Sequence, residues 1–413
     1  MVHNRYRSGL PSGENRVVDN EAEALSRRGH FVERFERLND EMDGWSSLRK
    51  LSVAGTNVWS VKAYRALRHT LRRMRPDVAH VHNTMPLLSP SVLVACHQER
   101  VPVVVTLHNY GLVCARGDLF RDGSVCHDCI GHLPLASVAH GCYHGSRLET
   151  IPVATSMVVN RGRWKHLVSA YICISSAQRA VLAPLNLPHD RVFVKMNMAR
   201  SELVAPPRRE GSGGTVLFMG RITASKGLPV LLRAWEMYAA SATVDRLRLV
   251  IAGAGPLEDE VREWARRRDD VDFLGPRSRR ECEALLSSAR VAVVPSSWEE
   301  AFGLVVIEAM EAGVPVIAPA HAAFPELVVD GEEGVLFPPG DAAALARAFD
   351  DATAAPERYE GYGRNARKAY ETRLNPDTNI SQLISIYRFA MEHPVWRPVR
   401  HNSNDVPVLA PST

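Results

Sequence analysis

Two cations and two carboxylates, each pair set just behind a short apolar run, carry the most chemistry in this chain. Arg221 and Lys226 follow Thr215–Met219 within Gly220-Arg221-Ile222-Thr223-Ala224-Ser225-Lys226-Gly227. Gly220 permits close backbone approach. Arg221 is a forked donor, Lys226 a point charge, and the next helix adds its positive N-terminal end. Together they make a site for a diphosphate, with two solvated surface cations as the plainer alternative. Glu300 and Glu308 stand eight apart, one before and one within a helix at Val305–Glu311. A carboxylate ahead of a helix can accept bonds from sugar hydroxyls, and the amides around Phe302, Gly303 and Leu304 suit phosphate oxygens. Glu308 lies among apolar neighbours, so a solvated face explains it poorly. In a cleft it would take two vicinal hydroxyls of a ribose. Glu299 is the competing carboxylate and reads as the exposed one.

These positions need strands to hold them, and two β/α halves can be read. Residues 1–207 contain strands Val2–Asn4, Asp77–His82, Val101–Leu107 and Ala170–Ile174. Helical patterns at Asn15–Arg28, Ser91–Gln98 and Ser175–Leu182 separate them. Pro206-Pro207-Arg208-Arg209-Glu210-Gly211-Ser212-Gly213-Gly214 reads as a linker. Residues 208–377 restart with strands Thr215–Met219, Arg248–Ala252, Val271–Phe273, Val291–Pro295 and Val314–Ala318. Residues 378–413 hold a last helix, Thr378–Glu392, expected to cross back to the first domain, and a loose tail. The expected class is α/β: two Rossmann-like doubly wound parallel sheets facing across a cleft, with ligands at the carboxyl ends of the strands.

The 413 residues suit two to three domains, and 46% apolar with 23% charged residues excludes a disordered, collagen-like or coiled-coil chain. No apolar run approaches the roughly 18 residues of a membrane helix, and Met1–Tyr6 opens no signal-peptide core. A cytoplasmic protein is expected. The net charge of +4 is unevenly spread: residues 1–207 carry 26 Lys and Arg against 17 Asp and Glu, which leaves 24 against 29 for the rest. The basic half suits an anionic membrane, a phosphorylated partner or plain solvation; nothing points to nucleic acid. Seven cysteines without a secretion signal argue against a disulfide framework.

Arg221, Lys226, the Glu300-x7-Glu308 spacing with Phe302-Gly303, and the return Gly313-x-Pro315 together resemble the family-four retaining glycosyltransferases. The resemblance runs from about Val2 to Met391 and implies the GT-B fold. It implies that Glu300 faces the donor sugar, that Glu308 binds the nucleotide ribose, and that Arg221 and Lys226 hold the diphosphate. Leu274-Gly275-Pro276-Arg277 matches a backbone cradle for the base, which places Arg277 and Gly220 on the donor side. In the first half Gly13 answers to the family's glycine loop, and His108 to the cleft histidine that contacts the donor sugar. His82 and Asn83 could line the acceptor side or serve structure alone. One departure stands at Ala322-Ala323-Phe324, where the family often has a glycine pair, so Glu326 is a weak site residue. Ile251-Ala252-Gly253-Ala254-Gly255-Pro256 lacks the third glycine of a dinucleotide fingerprint, and NAD is discounted.

Cys114, Cys126, Cys129 and Cys142 share a loop with His127, His132, His140 and His144. The Cys-x2-Cys pair is consistent with structural zinc, while packing thiols or a redox disulfide are the alternatives. Arg161-x-Arg163-Trp164-Lys165-His166 is a basic aromatic patch that suits a membrane surface, an anionic acceptor or a solvated helix face. The resemblance implies retaining transfer of a sugar from a nucleotide diphosphate, UDP above all, to a hydroxyl of a glycan, glycolipid or secondary metabolite. The acceptor would attack on the leaving-group face, and no cofactor is required. A sugar-nucleotide epimerase or hydrolase of the same architecture, or a non-catalytic binding subunit, are the other readings.

Overall fold

The computed structural model describes residues 1–9, 12–45, 55–200, 214–241 and 246–396. Most of the linker read at 206–214, and the tail from 397 on, lie outside them. Two six-stranded sheets, parallel throughout, organise the chain.

The first lobe uses β1 (Val2–Arg5), β2 (Phe35–Leu38), β3 (Ala79–Val81) and β4 (Val103–Leu107). A two-stranded ribbon, β5 (Phe120–Arg121) with β6 (Ser124–Val125), stands apart, and β7 (Ala170–Cys173) and β8 (Val192–Val194) complete the sheet. The order is β2-β1-β3-β4-β7-β8. Its central strands β3, β4 and β7 are buried along their whole length. Helices cover both faces of such a sheet, so Val-Val-Val-Thr-Leu reads as a continuous apolar run with no alternation.

The second lobe contains β9 (Thr215–Met219), β10 (Arg248–Ala252), β11 (Val271–Gly275), β12 (Val291–Val293), β13 (Val316–Pro319) and β14 (Gly334–Phe337). The order β11-β10-β9-β12-β13-β14 reverses direction between β9 and β12. That switch point is where an open α/β sheet holds its ligand. The expected strand at Val291–Pro295 stops at Val293, and its successor starts at Val316 where Val314 was expected.

Helix Pro376–Glu392 starts at an Asn375 cap and packs on the first lobe. Ile380, Leu383, Ile386, Tyr387 and Ala390 cluster with Ala24, Leu25, Val104, Ala170, Ile172 and Met198. Each fully buried Leu or Ile there contributes on the order of 1.5–3 kcal/mol. Gln382 Nε2 donates to the Val194 carbonyl at 2.9 Å, which closes the contact along β8. Among the described residues no helix is long and apolar enough to cross a membrane.

Candidate functional site

The two lobes meet at the carboxyl ends of their strands. Ser175 Oγ, just after β7, donates to the Ala301 carbonyl at 2.8 Å. Glu326 accepts from the backbone N–H groups of Ser176 (2.7 Å) and Ala177 (2.6 Å) across the gap. A carboxylate is favoured at those first-turn amides of helix Ser176–Leu182. Glu326 therefore bridges the lobes. Ala322 takes the left-handed conformation (φ 54°) in the turn ahead of it, the position where glycine would be unstrained.

The turn behind β9 lies tight against the end of β12. Gly227 (φ 77°) is required there, because a Cβ would stand 1.7 Å from the Pro295 carbonyl oxygen. This contact delivers Lys226 to Glu300: Nζ lies 2.6 Å from Oε2. The same oxygen accepts from Trp298 Nε1 at 2.9 Å and Ser296 Oγ at 3.1 Å. Lys226 Nζ also stands 5.0 Å from the centre of the Trp298 ring. Three donors on one oxygen fix the carboxylate plane and leave Oε1 to face a hydroxyl. Arg221 is exposed; its carbonyl accepts from the Thr223 N–H at 3.0 Å, while its guanidinium has no hydrogen bond or ion pair among the described residues. It acts on the Tyr6 hydroxyl of the first lobe, so its charge reaches the cleft. Gly220 anchors the turn by donating its N–H to Ala252 at 3.1 Å.

Gly303 (φ 106°) caps helix Leu304–Glu311, where a Cβ would press on the Phe324 ring at 3.1 Å. The Val306 N–H turns back to the Gly303 carbonyl at 2.9 Å, and the Leu304 and Val305 amides ahead of it have no intrahelical acceptor. Phe302 buries its ring in the core and so offers its backbone. Leu304 crosses to the first lobe: a Cβ on Gly13 would lie 2.8 Å from its Cδ1. Glu308 is paired with Arg16, also across the cleft. Arg277 folds back on its own turn, donating to the Leu274 carbonyl at 2.6 Å and reaching Glu281 at 3.3 Å. Glu299, expected to be exposed, is largely covered and stands 3.4 Å from His127 of the cysteine loop.

In the first lobe His108 Nε2 meets His82 Nδ1 at 2.9 Å, and the rings stack at 5.2 Å. Burial pushes His108 down to about 3, so it is a neutral imidazole. Behind His82 lies Glu21, whose free Oε2 is 3.9 Å from His82 Nε2, and whose Oε1 holds Lys195 at 2.8 Å. Both ends of that ion pair are fully buried. His80 spends its two ring nitrogens on Tyr387 (2.7 Å) and Thr106 (2.8 Å). Glu21, His80 and His82 bring their ligand atoms within 4.8 Å of one another, but these partners already occupy Glu21 and His80, which counts against a metal there. Asn83 is absorbed by backbone, donating to Asn4 and accepting from Met85, each at 3.0 Å. Glu14 accepts from Asn109 at 2.9 Å, and burial pushes its carboxyl up to about 7.

Cys114, Cys126, Cys129 and Cys142 are free thiols that act electrostatically on one another. The Ser137 backbone N–H is directed at Cys129, and Gly131 takes φ 77° just after the Cys-x2-Cys pair. The donor set suits zinc, but no three of these sulfurs come within 4.8 Å, wider than the roughly 3.8 Å edge implied by a Zn–S bond of about 2.3 Å.

Arg16, Glu14, Trp298, Glu21 and Lys195 were not singled out from sequence. Trp298, two residues before Glu300, had the readable signal of an indole N–H that needs an acceptor, which Glu300 supplies. The others depend on contacts between distant segments.

Residues 11–197 match the profile described as Glycosyltransferase Family 4, and residues 200–369 the profile described as Glycosyl transferases group 1. A phosphatidyl-myo-inositol mannosyltransferase of Mycobacterium leprae is 32% identical over 256 residues, 59% of this chain and 65% of that protein. This chain thus spans just under two thirds of that relative. An uncharacterised glycosyltransferase of Methanocaldococcus jannaschii is 25% identical over 90% of this chain and 93% of its own length. The Anabaena HepE structure in complex with UDP-glucose superposes with a TM-score of 0.63 at 17% identity, covering 93% of this chain and 98% of that one.

Proposed function

We propose that this chain, whose two halves match two glycosyltransferase profiles and whose fold is that of the GT-B enzymes, moves a sugar from a nucleoside diphosphate, UDP foremost, to an acceptor hydroxyl with retention of configuration. The observation that carries the reading is the Lys226–Glu300 pair beside the helix capped by Gly303, opposite Gly13. The solved neighbour bound to UDP-glucose supports UDP as the first donor to try.

In this mechanism the β-phosphate lies between Arg221 and the Leu304 end of the helix, with Lys226 beside it. Cleavage of the glycosidic bond leaves the electron pair on the diphosphate oxygen. Arg221, Lys226 and the helix dipole stabilise that charge most at the transition state, which is where it accelerates the reaction. Glu300 holds the donor sugar through its free oxygen, and Glu308 turns from Arg16 to the ribose hydroxyls. Neutral His108, positioned by His82, accepts a hydrogen bond from the transferred sugar. The acceptor hydroxyl attacks on the leaving-group face and passes its proton to the departing phosphate, so atoms and charge balance without an enzyme nucleophile. Two cations and a helix end offset the diphosphate charge, and the reading is metal-independent. The four cysteines, drawn closer together than they stand here, would hold zinc as a structural clip on the first lobe, outside the transfer step.

Thermal stabilisation by UDP, GDP, dTDP and their sugars tests the reading. UDP and a UDP-sugar should raise the midpoint most. No stabilisation by any of them would remove it.

A further inference from the structure

A cavity of about 190 Å³ opens in the first lobe beside His108, and the transfer mechanism leaves it unassigned. Where it meets the cleft it is lined by the polar, half-buried Glu14, His108 and Asn109. Its walls are apolar: Val113, Val153, Met157, Trp164 and Leu187. Two cations also line it, Arg161 and Lys165, four residues apart and so on one face of helix Arg161–His166. Among the described residues neither side chain has a hydrogen bond or ion pair. Arg163, between them, is instead committed to Asn160 and to the Trp59 ring.

The mouth continues onto an apolar surface. Leu133 and Val158 line the cavity and are also exposed. Along helix Arg147–Val159, Leu148, Ile151 and Val158 repeat at helical spacing on the outer side, and Leu148 is 81% exposed. Leu135 adds to the patch from the cysteine loop. Water-facing apolar stripes of this kind mark a surface that something apolar covers. The charge around it selects the partner. Arg147 starts the helix that carries the stripe, and Arg161 and Lys165 line the cavity with Val158, while Glu149 is drawn to His144 at 2.8 Å.

We propose that the acceptor is an anionic membrane lipid: its chain lies against the apolar walls, its phosphate between Arg161 and Lys165, and its headgroup hydroxyl beside His108, while the Leu148–Val158 stripe rests on the bilayer surface. This deepens the glycosyl-transfer reading and rests on it. The cavity joins polar groups beside His108 to apolar side chains, Leu133 and Val158, that reach the surface, which suits a lipid with its hydroxyl at the first and its chain at the second.

Flotation with vesicles tests it, using phosphatidylcholine alone and mixed equally with phosphatidylglycerol. The full chain should bind the mixed vesicles at least about tenfold better, and salt should weaken that binding. The double variant Leu148→Ser/Ile151→Ser should lose binding while UDP still stabilises it, which shows that it folds. Arg161→Ala/Lys165→Ala should lose the preference for phosphatidylglycerol. Monomeric dihexanoyl-phosphatidylglycerol should protect Trp164 fluorescence from quenching, and glycerol 3-phosphate should not. Equal binding to both vesicles, binding unchanged in the Leu148/Ile151 variant, or equal protection by glycerol 3-phosphate would each overturn the proposal. Loss of UDP stabilisation in the wild type would instead overturn the donor reading.

Discussion

Lys226 Nζ and Glu300 Oε2 stand 2.6 Å apart, although they come from turns behind different strands, β9 and β12. These strands neighbour each other at the reversal of the second sheet. In the proposed mechanism the pair sets a cation for phosphate beside a carboxylate for sugar, as a nucleotide-sugar donor needs at its anomeric carbon.

Removing either partner should slow transfer. Lys226→Ala and Glu300→Ala are each expected to lower kcat/KM at least about tenfold, on the order of 1.4 kcal/mol of barrier. The double variant should lose less than the product of the two, because the groups touch. Steady-state kinetics with the nucleotide sugar selected by the stabilisation screen checks this, and near-wild-type rates in both single variants would be the contrary result.

Gly227 is the hinge of that geometry. Gly227→Ala puts a methyl against the Pro295 carbonyl and must push the two turns apart. Stabilisation by UDP should fall sharply. If UDP stabilises this variant as it does the wild type, the close approach is not what positions Lys226.

Glu14 gives a pH dependence. Its folded value, about 7, lies above the ordinary 4.5, so the favourable neutral form is fully present below about 4.5 and is lost as pH rises through 7. The loss amounts to at most about 3 kcal/mol of stability. The ionised form also sets a negative charge near Tyr6 and Arg221, beside the proposed diphosphate site. UDP affinity should therefore weaken between pH 6 and 8, and Glu14→Gln should flatten that slope relative to wild type. His108, held down to about 3, contributes nothing in this window. Calorimetric titration of both proteins at several pH values decides the matter.

The buried Glu21–Lys195 pair makes a stability prediction. Lys195→Met leaves an uncompensated carboxylate under His82 and should cost about 3–5 kcal/mol. The first lobe should melt roughly 10 °C lower or more. Adding Glu21→Leu should restore much of the loss, and differential scanning calorimetry on the three proteins reports it.

What sequence could tell depended on whether a signal was local. β9, Thr-Val-Leu-Phe-Met, is apolar because both sheet faces are covered, and its bounds were read to the residue. The edge strand Phe35–Leu38 was missed because, paired on one side only, it carries Glu36 and Arg37 and shows no apolar run, whereas Val192–Val194 and Gly334–Phe337 are apolar but too short to stand out as strands. At the site, Lys226 and Glu300 were readable as neighbours of strand ends. The Arg16–Glu308 pair joins residues 292 apart, and nothing in either neighbourhood names the other. Glu299 was read as exposed because its partner, His127, approaches from the other lobe.

Metal chemistry is tested at two places. EDTA should leave the transfer rate unchanged, and metal analysis of untagged protein should find one zinc per chain, released on alkylation of Cys126 and Cys129. Loss of activity with EDTA at intact zinc content would contradict the metal-independent mechanism, and a protein without zinc would remove the cysteine clip.

The grip on the diphosphate is tested most directly by titrating UDP and UMP into the wild type and the double variant Arg221→Ala/Lys226→Ala. The wild type should bind UDP at least about tenfold more tightly than UMP, about 1.4 kcal/mol carried by the second phosphate. In the double variant the two affinities should converge. A double variant that still prefers UDP by the wild-type factor would contradict the assignment of these two cations.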